Sequence, residues 1–264
     1  MSAVVQLAEP ADGETAWLAR RGLSWGASEI ATLLVALGRR PMESLPAWAQ
    51  PDARVTRQSR SVPRLMAQKA GVLPPRKRGK PAARGLALEP RLVALWAQLV
   101  ARGQARGAEA LAVDASTVQH AGELLPREML PLVDRHCPRL SCTPDVWCRD
   151  VLGGLLVVDM KCSVKPYADR YQTCPPHYVL QLHAQMAVCG AEGAAIVEGE
   201  RWGAEWADVA GEPAGAIRTW PVERDDALIA EIREAAEEGW ALVERLRAQM
   251  SALHGAQLQM EGGA

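Results

Sequence analysis

The residues best suited to chemistry lie in one stretch, residues 141–162, SCTPDVWCRDVLGGLLVVDMKC. Leu155 to Val158 are all apolar, the mark of a strand buried on both faces. Charge does not belong on such a strand, yet it ends in Asp159-Met160-Lys161. Side chains two apart in a strand share a face, so Asp159 and Lys161 point the same way. Burying an ionised group is costly unless the group is paired or binds a metal.

A second carboxylate follows from hairpin arithmetic. Leu152-Gly153-Gly154 is the natural turn before the apolar strand. If the two strands fold antiparallel about residue 152, Asp145 stands opposite Asp159, with Cβ atoms ~5 Å apart. Carboxylates that close repel, and one takes up a proton unless a cation lies between them. A hard divalent cation with oxygen ligands resolves the conflict; Mg2+ is usually held by one or two carboxylates plus water and substrate phosphate. Glu89 is a third candidate ligand, at the start of an apolar-striped helix. Such an acid either complements the helix dipole, worth under ~1 kcal/mol, or points into a site. Taken alone, the dipole reading is the better one. Lys161 suits orienting a water and stabilising negative charge on a phosphate. Thr-Pro-Asp by itself is a common turn, and Asp-x-Lys a common strand end. The buried run, the shared face and the cross-strand register together favour a site.

The elements that must position these residues read as follows. Residues 12–38 predict two short helices, with Ser24 or Ser28 capping the second. Residues 39–56 are Pro-rich and predict a loop. From Arg54 to Arg84 there are ten basic residues and no acidic one. Within that run, PPRKRGKPAAR at 74–84 predicts an exposed loop, either a solvated linker or a phosphate-binding surface. Residues 88–102 predict a helix with Leu88, Leu92, Leu95 and Leu99 in one stripe, widened by Val93, Trp96 and Val100. Residues 109–127 predict a helix and then a turn. Strands are predicted at about 129–135, 140–148 and 155–162. A helix follows from Pro175-Pro176 to Gly190, then strands at about 194–199 and 216–222. An amphipathic helix spans 224–250. This order gives an α/β fold, a central mixed β-sheet flanked by helices.

Composition excludes several classes. The chain has 264 residues, 48% apolar and 23% charged, with net charge −1, ordinary for a globular protein. It can bury a sizeable core as a single domain over 1–264, with an N-terminal helical and basic segment (12–84), a core (85–222) and a C-terminal helix. The longest near-apolar stretch, residues 30–37, is far short of the ~20 residues of a membrane helix. The N-terminus shows no basic region followed by an apolar core, so we expect no signal peptide, a cytoplasmic location and reduced cysteines. No pair of the six Cys has C-x-x-C spacing, which argues against a zinc knuckle or redox dithiol.

Five segments, in order, resemble the phage lambda-type exonucleases, the YqaJ-like viral recombinases of the PD-(D/E)XK nuclease superfamily. They are RRGLSWGASEI (20–30), GLALE (85–89), SCTPD (141–145), LLVVDMKC (155–162) and YVLQLHAQMAV (178–188). Five motifs in one order are far more specific than any one of them. The resemblance implies a restriction-endonuclease-like core. It further implies a Mg2+-dependent 5′-to-3′ exonuclease acting on linear double-stranded DNA ends in phage-type recombination, with Mn2+ as a substitute. If phage-encoded, the enzyme would work in the host cytoplasm. Glu89, Asp145 and Asp159 would hold the metal with the Met160 carbonyl, Lys161 would position the attacking water, and Gln181 would support the site. Arg21, Ser28 and Thr143 would hold the 5′-phosphate, a fit of guanidinium fork and hydroxyls to a terminal phosphate. Arg76, Lys77, Arg78 and Lys80 would follow the DNA backbone. A homotrimer and a single-strand annealing partner are also implied. The alternatives are a nuclease of the same superfamily with other polarity or an endonuclease role, and an inactive DNA-binding protein on this fold.

Three positions depart from the pattern. Asp159 stands where Glu is usual, His183 replaces the second Gln of the helix motif, and Val146 replaces a Gly. Asp is one methylene shorter but is used elsewhere in the superfamily. His183 would add a pH-sensitive group, although a lone helical His is more often a packing residue. The cysteines lack the tight group that iron–sulfur relatives carry, so no cluster is expected.

Overall fold

The computed structural model describes residues 21–45, 62–73, 80–124, 131–163, 173–200 and 217–262. The strands are β1 (Trp25–Gly26), β2 (Val113–His120), β3 (Leu132–Val133), β4 (Leu140–Cys142), β5 (Val146–Asp150), β6 (Leu155–Ser163), β7 (Gly193–Glu200) and β8 (Ile217–Glu223). The helices are α1 (Ile30–Ala36), α2 (Val62–Lys69), α3 (Lys80–Ala101), α4 (Ala121–Leu124), α5 (Pro176–Cys189) and α6 (Asp226–Gly262). Five strands form the main sheet in the order β2-β5-β6-β7-β8, and three form a small one, β1-β4-β3. In the main sheet only β6 and β7 run parallel, so the sheet is mixed as predicted.

The core divides by strand periodicity. On one face Val157, Ala194, Ile196 and Trp220 pack with Leu180, Leu182 and Met186 of α5 and with α1 and α6. On the other, Val146, Cys148, Leu156, Val158, Met160 and Val197 meet Leu92, Val93, Trp96 and Leu99 of α3. The indole of Trp96 also donates to Thr219 Oγ1 at 3.0 Å and ties α3 to β8. Alternate residues of β6 thus serve opposite faces, which is why the strand reads as an unbroken apolar run.

The hairpin closes about residue 152. Val146 pairs with Val158, Trp147 with Val157 and Arg149 with Leu155. Gly153 takes the left-handed region, φ 92°, and Asp150 Oδ1 accepts from the N–H groups of Leu152 and Gly154, both at 2.8 Å.

Several sequence expectations are corrected. The strand expected over 140–148 is two strands in different sheets, because Thr143-Pro144 interrupts it. Proline brings no N–H to a ladder, and the chain crosses from the small sheet to the large one there. The expected helix over 109–127 is instead strand β2, at the sheet edge, followed by the single turn α4. Helix α3 begins at Lys80 rather than 88, so the end of the 74–84 stretch is helical and Glu89 lies well inside the helix. Neither Ser24 nor Ser28 caps α1. Ser24 Oγ donates to Ser141 Oγ at 2.7 Å, and Ser28 Oγ accepts from Arg21. The last helix runs on to Gly262. Residues 12–20, most of the 39–56 loop, and Arg76, Lys77 and Arg78 lie outside the described residues. Lys80 opens α3. Among the described residues no helix is long and apolar enough to cross a membrane.

Candidate active site

The register of the hairpin carries Asp145 and Asp159 to one end of the main sheet. Asp145 is one residue before the last pair at this end of the ladder, Val146 with Val158, so the next step sets it against Asp159. Its Oδ2 accepts from the N–H of Met160 at 2.7 Å, and its carbonyl accepts from Ala121 N–H at 2.9 Å. Met160 turns its side chain to the α3 face, so it meets the site through its backbone.

Asp159 is 3% exposed, and α5 lies across it. Gln181 Nε2 and Gln185 Nε2 each donate to Asp159 Oδ1 at 3.0 Å, and Lys161 Nζ pairs with Oδ2. The two glutamines are four apart, so one helix face presents both. Lys161 Nζ also sits 5.3 Å from the ring centre of Tyr178. His177, just before Tyr178, is pushed down to about 4 by burial and by the Lys161 charge.

Glu89 reaches the same neighbourhood from α3. Its Oε1 lies 2.8 Å from His120 Nε2, at the end of β2. The dipole reading of Glu89 therefore fails: the residue is several turns from the helix start, and its partner is a side chain. Burial raises the Asp145 carboxyl well above the ordinary carboxylate range. The charges of Asp159 and Glu89 push it further the same way, and Lys161 and the Met160 N–H oppose them. Asp145 thus lies within the electrostatic reach of two other carboxylates and one lysine.

This donor set fits a hard divalent cation. All three side chains offer carboxylate oxygen, and the conflict between Asp145 and Asp159 is one that a cation relieves. Among the described residues no three His, Cys, Asp or Glu side chains form a ready cage. Mg2+ commonly needs only one or two protein carboxylates, the rest being water and phosphate.

The small sheet builds a second cluster beside the first. β1 runs parallel to β4 with Trp25 against Leu140 and Gly26 against Ser141, and the 3-10 turn Ala27–Glu29 that follows places Ala27 and Ser28 on one cavity with Cys142 and Thr143. Arg21 Nη2 donates to Ser28 Oγ at 3.2 Å and pairs with Glu29 Oε1 at 3.5 Å. Arg21, Ser28, Ser141, Thr143, Gln181 and Gln185 line one cavity. The three residues expected to hold a phosphate therefore share a wall with the two amides that hold Asp159.

Sequence reasoning missed five residues here. Lys69 was counted in the basic run, but it is 5% exposed. Its Nζ donates to the carbonyls of Arg21 (2.7 Å) and Ser24 (2.5 Å) and pairs with Glu29 Oε2 at 2.9 Å. Burial lowers the Lys69 ammonium against the pull of Glu29. Burial works to raise Glu29, but Lys69 and Arg21 outweigh it and bring the carboxyl down to about 2. Lys69 and Glu29 thus fix the backbone and the guanidinium of Arg21. Gln185 was legible as the residue one helical turn after Gln181. His120 and Ala121 were hidden by the mistaken helix at 109–127. His183 serves a different end. Its Nδ1 lies 2.8 Å from the Val179 carbonyl, and its Nε2 accepts from Asp225 N–H at 3.2 Å, which links α5 to the start of α6 away from the carboxylates.

No family model matches the sequence, and no curated protein does. Solved structures do. The alkaline exonuclease LHK-Exo from Laribacter hongkongensis is 18% identical, with TM-score 0.57, covering 94% of this chain and 99% of that one. The same exonuclease in complex with dAMP gives 19% identity and TM-score 0.57. A phage-related exonuclease from Haemophilus somnus 129PT is 16% identical, with TM-score 0.50, covering 86% of this chain and 96% of that one. The chain has a mixed α/β fold, and it shares that fold with these solved exonucleases over most of its length.

Proposed function

We propose that the protein is a divalent-metal-dependent exonuclease that degrades one strand of linear duplex DNA from its 5′ end. The observation that carries this reading is the shared cavity: Arg21, Ser28 and Thr143 line it together with Gln181 and Gln185, which hold Asp159. A nuclease that starts at a phosphorylated end needs its phosphate grip and its hydrolytic carboxylates in register, and this arrangement couples them through α5.

Asp145, Asp159 and Glu89 would hold the cation, Mg2+ or Mn2+, with the Met160 carbonyl as a further oxygen. Bound there, the cation supplies positive charge against the phosphodiester and an acidified water. Lys161 holds the attacking water and stabilises negative charge on the phosphate as it develops. Gln181 and Gln185 hold Asp159 in one orientation. Arg21 grips the terminal phosphate with Ser28 and Thr143, while Lys69 and Glu29 keep Arg21 in place. Arg76, Lys77, Arg78 and Lys80 follow the duplex backbone. The biological setting is phage-type recombination, in which the enzyme works as a ring-like homotrimer and leaves a 3′ strand for an annealing partner.

Initiation rates on 5′-phosphorylated and 5′-hydroxyl ends test the reading. A guanidinium and a phosphate form charge-assisted hydrogen bonds, each worth ~1.5–3 kcal/mol, that a hydroxyl end lacks. Phosphorylated ends should start at least ~10-fold faster, and Arg21→Ala should erase most of that preference. Equal rates in the unmodified protein would point to a nuclease of the same fold with another polarity or an endonuclease role.

A further inference from the structure

His120 makes a contact that the reaction above does not use. It closes β2, and its Nε2 lies 2.8 Å from Glu89 Oε1, both side chains being 16% exposed. An ionised carboxylate only accepts, so the ring nitrogen is the donor. The placement of the ring is set by three independent features. The β2–β5 register shifts between Asp114 and Gln119, and a shift of this kind re-aims the side chains that follow it. After the shift His120 stands opposite Val146, the neighbour of Asp145. Ala121 N–H then donates to the Asp145 carbonyl at 2.9 Å. Gly122 comes next, where a Cβ would lie 2.9 Å from the imidazole Cε1, so the turn is shaped around the ring. Residues 120–122 thus hold the side chain of one proposed ligand and the backbone of another.

We infer that His120 is a positioning residue for the cation site. It fixes Glu89 through Oε1 and leaves Oε2, which carries no hydrogen bond among the described residues, for the metal. This inference rests on the cation site proposed above. Residues that orient a metal ligand from behind typically contribute 10–100-fold in affinity or activity.

The test is calorimetric titration of the full chain with Mn2+ in the absence of DNA. His120→Ala should weaken Mn2+ binding by ~10–100-fold. His120→Gln, which keeps a donor, should restore most of the affinity. Once Glu89 is changed to Gln, His120→Ala should cost little more, because its partner is gone. Should His120→Ala lose its melting transition, His120→Gln against His120→Leu makes the same comparison, a donor against an apolar group. Unchanged or tighter Mn2+ binding without the donor overturns the inference, and so does an equal loss in the Glu89→Gln background. Failure of the unmodified protein to bind Mn2+ overturns this inference and the cation site together.

Discussion

Lys161 and Asp145 lie at one end of the sheet, and the role proposed for each can be tested alone. Lys161 pairs with Asp159 and is proposed to meet charge that develops only during the reaction. Removing such a group typically costs ~10²–10³ in rate. Lys161→Ala should therefore lose turnover by that factor and keep its affinity for DNA, as measured by single-turnover cleavage beside equilibrium binding. A near-normal rate would remove Lys161 from the mechanism. Asp145 is buried within reach of two other carboxylates. Its carboxyl is raised in the folded state by burial and by Asp159 and Glu89. A raised carboxyl favours the protonated native state, so its contribution is full in acid and is lost as pH rises through the folded value. In chelator at neutral pH, Asp145→Asn should melt higher than the unmodified protein. Each kcal/mol of relief is worth about 2–4 °C in a chain of this size. The gain should shrink toward acid pH, and cleavage should be gone. A lower melting temperature at neutral pH would show that Asp145 is not a source of repulsion. Both residues were legible in the sequence, Lys161 as a charge at the end of an apolar strand and Asp145 from the register of the hairpin. Gln185 and Lys69 were less so. A glutamine in an apolar helix, or a lysine in a basic run, does not by itself say which carboxylate or carbonyl it will meet.

At the scale of elements, what could be read was what local periodicity decides. The hairpin about residue 152 follows from a buried strand, a Gly-Gly turn and the period of two, and the observed pairs obey it. Strand β2 did not announce itself: VDASTVQH is mostly polar, half-buried except at the exposed Ser116 and Gln119, and interrupted by its register shift, so it lacks clean alternation. The split of 140–148 into β4 and β5 is marked locally by Pro144, but the partner of β4, the two-residue strand β1 far away in the chain, has no local signal. The connection from α3 to β2 carries another non-local constraint. Gly107 has φ 87°, and a Cβ there would stand 2.1 Å from the Thr219 carbonyl oxygen, a backbone atom of β8. Gly107→Ala combines an unfavourable φ with a backbone clash, and should cost over ~2 kcal/mol in denaturant unfolding. A cost below ~0.5 kcal/mol would mean that the α3–β2 connection is free to move away from β8.

For the whole molecule, the two sheets position two clusters side by side. The main sheet presents Asp145, Asp159 and Lys161 at one end, and the small sheet brings Arg21, Ser28 and Thr143 alongside. Helix α5 joins them through Gln181 and Gln185, and α3 adds Glu89 from the other face. The mixed sheet flanked by helices was legible from the order of elements. The small sheet was not, since its strands are two or three residues long and none is recognisable alone. Digestion of linear duplex DNA carrying a label at either the 5′ or the 3′ end, with Mg2+ and with excess chelator, tests the central claim most directly. With Mg2+, the 5′ label should be released first as mononucleotide while the 3′ label stays on a shortening strand, and chelator should stop both. Prior release of the 3′ label, or undiminished digestion in chelator, would contradict the account.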